Sequence, residues 1–250
     1  MKHCINICAT ALLCAIASGC TGSSLSRMEK KIIASADSRG VMRVLTIEDM
    51  ADSLILRRPC ADFSSGDLES MFKDSLSPAA RLVSQLVSTV TDPSQDGVGI
   101  AGPQVGLSRR IVAVQRFDKE GQPFEVYPNI RIVRYGEGHR TGSEGCLSIP
   151  DRSGMVERSD SIVIEYAKKS APQHSAKNSA QYSTKDSEQE DSAPKSAPEG
   201  SAQYSTKDST QPYIYVQEAV GGFTAVIFQH ECDHLDGILY IDRLVQQNEL

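Results

Sequence analysis

Hydrophobic positions along this chain fall into short blocks whose spacing changes from block to block. Ile5 to Ala17 is nearly all apolar, then Thr21 to Gly40 is polar. Val41-Met-Arg-Val-Leu-Thr-Ile47 has the composition of a short strand. From Phe72 to Thr91, Ala79, Leu82, Val83, Leu86, Val87 and Val90 recur at helical spacing, behind Ser77-Pro78 as N-cap and first helical residue. Extended blocks follow at 109–115, at 124–133 as one or two strands, and as a pair at 161–167 and 212–219. The run from Gly222 to Gln229 is mostly apolar and predicts a buried helix that continues through His234.

Two stretches fall outside this pattern. Residues 168–211 are rich in Ser, Ala, Gln, Lys and Pro, and Ser179-Ala-Gln-Tyr-Ser-Thr-Lys-Asp-Ser187 recurs as Ser201 to Ser209. Such a segment has too little apolar surface to offset its ordering entropy, so a disordered insert in a hairpin turn is expected. Asp96-Gly-Val-Gly-Ile-Ala-Gly-Pro-Gln-Val-Gly106 carries four glycines, which let backbone approach a ligand closely. No Lys-Ser/Thr pair follows, and the spacing does not suit a dinucleotide.

Composition narrows the class. At 250 residues and 40% hydrophobic, the chain can bury one good core. A net charge of −6 and a pI near 5.4 argue against nucleic acid as a partner. Four of the seven cysteines lie in the first twenty residues, and Cys60, Cys146 and Cys232 have no disulfide-framework spacing. Lys2, the apolar run and Ala17-Ser-Gly-Cys20 resemble a bacterial signal sequence with a lipobox, and the run is too short for a comfortable membrane span. The expectation is that residues 1–19 are removed, that Cys20 carries lipid, that 20–40 form a polar tether, and that the protein sits in the cell envelope, with the cytoplasm as the alternative.

The chemistry centres on His230-Glu-Cys-Asp-His234. Histidines at i and i+4 project from one helix face and can grip one cation, leaving Glu231 free to act on water there. Cys232 then points away and is read as a packed thiol. A third ligand is not found downstream, where Glu249 adjoins the last residue and Tyr240 takes the place that a third histidine could fill. Upstream, His139, His174, Cys60 and Cys146 are candidates. Cys146 ranks first, because it lies in the glycine-containing stretch Glu144-Gly-Cys-Leu-Ser-Ile-Pro150 and a thiolate is a strong ligand.

Gly97-Val-Gly-Ile-Ala-Gly-Pro-Gln104, Glu144-Gly-Cys-Leu-Ser148 and His230 to His234 together resemble, in order, the three signature motifs of the peptide deformylase family. The resemblance covers Val41 to Leu244 apart from the insert, within a catalytic domain read as 41–250. It implies an α+β fold with antiparallel strands around a central metal-binding helix. It further implies one cation per chain, iron(II) with zinc or nickel also fitting, held by Cys146, His230 and His234. Glu231 would be the acid/base; the Gln104 amide and the Leu147 backbone N–H would hold the oxyanion. Val98, Gly99 and Arg158 would meet the substrate, an N-formylmethionyl peptide, whose linear amide is hydrolysed to release formate. This chain has Gly102 where the family usually has alanine, a change expected to loosen the loop that holds Gln104. It has Ser153, with Arg152 one place earlier, where the family often has arginine. Only six residues follow Leu244, too few for the C-terminal helix of many bacterial members, so no ribosome contact is expected.

Two other readings follow from the same residues. An exported metallohydrolase could act on other formylated or short peptides, and a non-catalytic lipoprotein could hold metal or peptide. Glu231 argues against the latter, because binding alone does not require that carboxylate.

Overall fold

In the computed structural model, residues 22–171 and 212–245 are described. Residues 1–19 with the lipobox, Cys20, and the repeats of the insert lie outside them. Among the described residues, five α-helices and eight strands make an α+β fold, with every named strand pair antiparallel.

The block from Phe72 to Thr91 is two helices, not one: α3 (Ser65–Lys73) and α4 (Pro78–Val90). Pro78 has no N–H for the preceding turn, so the chain restarts there, and Ser77 accepts from the Ala80 N–H. α4 buries Ala79, Leu82, Leu86, Thr89 and Val90, as its periodicity predicts. Residues 41–47 form no strand. They run extended between two loops of the site, with Leu45 N–H on the Gln104 carbonyl and Ile47 N–H on the Ser148 carbonyl. A short helix, α2 (Met50–Leu56), follows, with Asp49 capping Ala51 and Asp52.

One sheet has the order β1 (Gly99–Ala101), β2 (Ile111–Gln115), β3 (Phe124–Pro128). The second has β4 (Arg131–Tyr135), β7 (Ser161–Lys169) and β8 (Tyr213–Gly221). The expected pair is present as β7–β8, in register from Ser161↔Gly221 to Lys169↔Tyr213. Lys168 and Lys169 therefore belong to the strand and not to the insert. β5 (His139–Cys146) and β6 (Ile149–Ser159) form a separate hairpin that brings Glu144 and Cys146 to the site.

The central helix, α5 (Gly222–Leu235), is packed on most sides by these sheets; Ala225, Ile227, Phe228, Cys232 and Leu235 are core residues. The strand turns into it at Gly222 (φ +65°) and it stops at Gly237 (φ +75°), where the Gly237 and Ile238 N–H groups return to His234 and Asp233.

Residues 22–40 correct the tether expectation, for they are part of the fold. Leu25 and Ile33 are in the core, and α1 (Arg27–Ala34) starts with a reciprocal cap between Ser26 and Glu29. Buried Arg109 clasps the segment, donating to Glu29 and to the carbonyls of Ser23, Ser24 and Asp62. Polar composition misleads here because these polar groups have fixed partners. Arg109→Leu strands a largely buried Glu29 carboxylate, so unfolding free energy is expected to fall by about 3 kcal/mol. Urea unfolding checks this, and an unchanged midpoint would count against the clasp.

Candidate active site

Strand and helix periodicities assemble the site. On β5, Glu144 and Cys146 are two apart and share a face; on α5, His230 and His234 are four apart and share another. Donor atoms of Cys146, His230 and His234 all lie within 4.8 Å of one another, with Cys146 Sγ 3.2 Å from His234 Nε2. His230 Nδ1 meets Glu144 Oε2 at 2.9 Å, which turns Nε2 towards the other two donors. Burial above all holds His234 neutral, the form that binds a cation. Burial opposes charge on His230, but its contacts with Cys146 and Glu144 outweigh it and raise the ring to about 10, a proton that a bound cation would displace. A thiol and two imidazoles, one of them oriented by a carboxylate, fit a divalent transition metal.

Of the other third-ligand candidates, Cys60 is elsewhere in the fold, with its N–H on the Leu235 carbonyl and its thiol pushed up to about 12 by burial. His139 is exposed at the far end of β5, and His174 is outside the described residues. Tyr240 is no ligand but a buried support, its ring stacked on His230 at 6.2 Å and 21°. Cys232 is a packed core thiol, as its spacing implies.

Arg158 is not at the substrate surface, and that expectation is corrected. Its side chain, 4% exposed, lies beneath the ligands, bound to Glu144 at 2.8 and 3.0 Å and to Asp233 at 2.6 Å. Arg243 grips Asp233 from the other side. Charges thus alternate from Arg243 through Asp233, Arg158 and Glu144 to His230. Burial opposes ionisation of Glu144, but Arg158 and His230 outweigh it and hold the carboxyl down to about 2.

A cleft of about 720 Å³ opens in front of the donors, and Val98, Gly99, Gln104, Leu147 and Glu231 all line it. Gln104 stands in a 3-10 turn (Gly102–Val105), where its Oε1 accepts from the Ala101 N–H at 2.8 Å. That contact sends the amide N–H group towards Cys146 Sγ (3.6 Å) and Ser148 Oγ (3.3 Å). Gly102 does not loosen this loop. It is fully packed, and a Cβ there would lie 2.6 Å from the Arg109 carbonyl oxygen.

Glu231 is 4% exposed, yet its Oε2 has no hydrogen-bond partner among the described residues. Burial pushes its carboxyl up to about 7. Reasoning on the motifs missed Phe223, whose ring stays half exposed on the cleft wall against Phe117. Its only signal was a large apolar residue at the outer start of a buried helix. Arg152 and Ser153 also line the cleft, at its β6 side.

Residues 43–182 and 207–249 match the family described as Polypeptide deformylase. The chain is 32% identical over 163 residues to a peptide deformylase of Desulforudis audaxviator, covering 65% of this chain and 75% of that one. It is 32% identical over 171 residues to peptide deformylase 2 of a Nostoc species, covering 66% and 70%. Among solved structures, a class I type b peptide deformylase from Acinetobacter baumannii is similar at a TM-score of 0.55 and 26% identity, over 82% of this chain and 99% of that one. The same enzyme bound to Met-Ala-Ser is similar at 0.53 and 25%, over 82% and 98%. The match spans both sides of the insert and includes all three motifs, and on that ground the chain belongs to the peptide deformylase family, as a metal-dependent hydrolase that removes the N-formyl group from newly made peptides.

Proposed function

We propose that Cys146, His230 and His234 hold one iron(II) ion and that Glu231 and Gln104 carry the chemistry on N-formylmethionyl peptides. Zinc or nickel also suits the donor set. The observation that carries this reading is the convergence of three close donors, two of them lining the cleft, with a buried carboxylate oxygen that has no partner among the described residues and an aimed amide. When bound, the cation supplies a Lewis acid for the formyl oxygen and lowers the pKa of water beside it. Glu231 takes the proton of the attacking water at Oε2 and returns it to the departing amine nitrogen, releasing formate. The Gln104 amide, with the Leu147 backbone N–H, donates to the oxygen as its charge develops. Val98, Phe223 and Ile227 offer an apolar wall suited to a methionine side chain. Formate release from formyl-Met-Ala-Ser by anaerobically purified, iron-loaded protein tests the reading; full metal occupancy without turnover would refute it.

Gly99 sets the space for Glu231. A Cβ at this position would lie 2.5 Å from Glu231 Oε1 and 2.9 Å from Ile227 Cγ2. Gly99→Ala is therefore expected to displace the carboxylate and lower kcat about 100-fold, since small misplacements of a reacting group are costly. Stopped-time formate assays beside a thermal melt separate this from unfolding.

The location proposal is a lipid anchor on Cys20 in the cell envelope, supported by the lipobox-like Ala17-Ser-Gly-Cys20. Palmitate labelling of cells, lost in Cys20→Ser, tests it.

A further inference from the structure

We infer that the outer face of α1 is a docking surface for anionic phospholipid, which lays the domain against the membrane that bears its anchor. This rests on the lipid-anchor reading for why a membrane is near. The helix has two opposite stripes. Glu29, Ile32 and Ile33 face inward, to Arg109 and the core. Arg27, Lys30, Lys31 and Ala34, spaced i, i+3, i+4 and i+7, face out and are exposed. None of the three cations pairs with a carboxylate among the described residues, and Met28 beside them is 65% exposed. In a chain of net charge −6, this is a local basic island.

The chain leaves no slack at this face. Ser23 bridges to Phe63, and a Cβ on Gly22 would overlap the Phe63 carbonyl. Two Cα–Cα steps span no more than about 7.6 Å, so lipid on Cys20 holds the fold within that reach of its own attachment point. A tether this short brings the start of α1 to the headgroups, where unpaired cations gain most from anionic lipid and an exposed methionine can insert. Nucleic acid would share the charge complementarity but leave Met28 unused.

The test uses residues 21–250, which contain every contact described, with an N-terminal hexahistidine held on vesicles by a nickel-chelating lipid. This supplies the tether whether or not cells lipidate Cys20. Lysines are acetylated with a membrane-impermeant reagent and read by mass spectrometry, with formate release confirming the fold. On phosphatidylglycerol vesicles, Lys30 and Lys31 should react at least fivefold more slowly than on phosphatidylcholine, and 0.5 M salt should restore them, at roughly fivefold per engaged cation. Lys168, exposed on β7, should not change. Equal rates on the two lipids, or equal slowing of Lys168, would overturn the surface. Missing palmitate on Cys20 in cells would instead remove the anchor and leave this result standing.

Discussion

Glu231→Gln protein will bind its metal in full and release formate 10²- to 10⁴-fold more slowly, the range for loss of a general acid/base. Glutamine keeps the shape, so Ile227 and Gly99 keep their neighbour and the cleft its volume. What disappears is an oxygen that can hold and return a proton. That oxygen matters because Oε2 is buried beside the cleft with no donor among the described residues, so water or substrate in the cleft is its available partner. Its environment also favours a carried proton, since burial raises the carboxyl to about 7. Glu231 is not among the three clustered donors, so metal content should stay at one per chain. Metal analysis and kcat on the same sample decide the matter. Wild-type turnover would move the acid/base role to another group, and lost metal would make Glu231 a ligand.

The reach of the sequence can be judged element by element. α5 and its histidines were legible because i, i+4 spacing fixes a shared face whatever packs behind it. β7 and β8 were legible because Ile162, Ile164 and Tyr166 alternate into the core opposite Val216 and Val220. The β5–β6 hairpin was not, for residues 139–143 are exposed on both faces and backbone pairing leaves no mark in such a pattern. Residues 22–40 looked like a linker because their stability comes from single partners, above all Arg109, distant in sequence. Arg158 shows the same limit. A basic residue at that position suits a peptide or a buried carboxylate equally well, and only the approach of β5 and α5 decides between them. Gly102 is similar: whether a missing methyl means slack or close packing depends on the Arg109 and Leu107 carbonyls that fold over it.

Arg158→Leu should lower the stability of metal-free protein by 3–5 kcal/mol and speed metal loss. The first effect follows from burial, because Glu144 and Asp233 are 8% and 9% exposed and both lose their shared cation. At 2–4 °C per kcal/mol for a chain of this size, the midpoint should drop by about 10 °C. The second effect runs through His230. Glu144 orients that ring at Nδ1, and Arg158 in turn holds both Glu144 oxygens, so the ligand's direction depends on a residue that never touches it. Loss of such a supporting contact typically costs 10- to 100-fold in metal affinity. Arg243→Leu should do less on both counts, since Arg243 is 42% exposed and Asp233 keeps Arg158. Melting of the metal-free protein reads the charge network alone, and the rate of metal transfer to a chelator at low temperature reads the ligand geometry. If Arg158→Leu melts early but surrenders metal at the wild-type rate, the chain of charges stabilises the fold without steering His230.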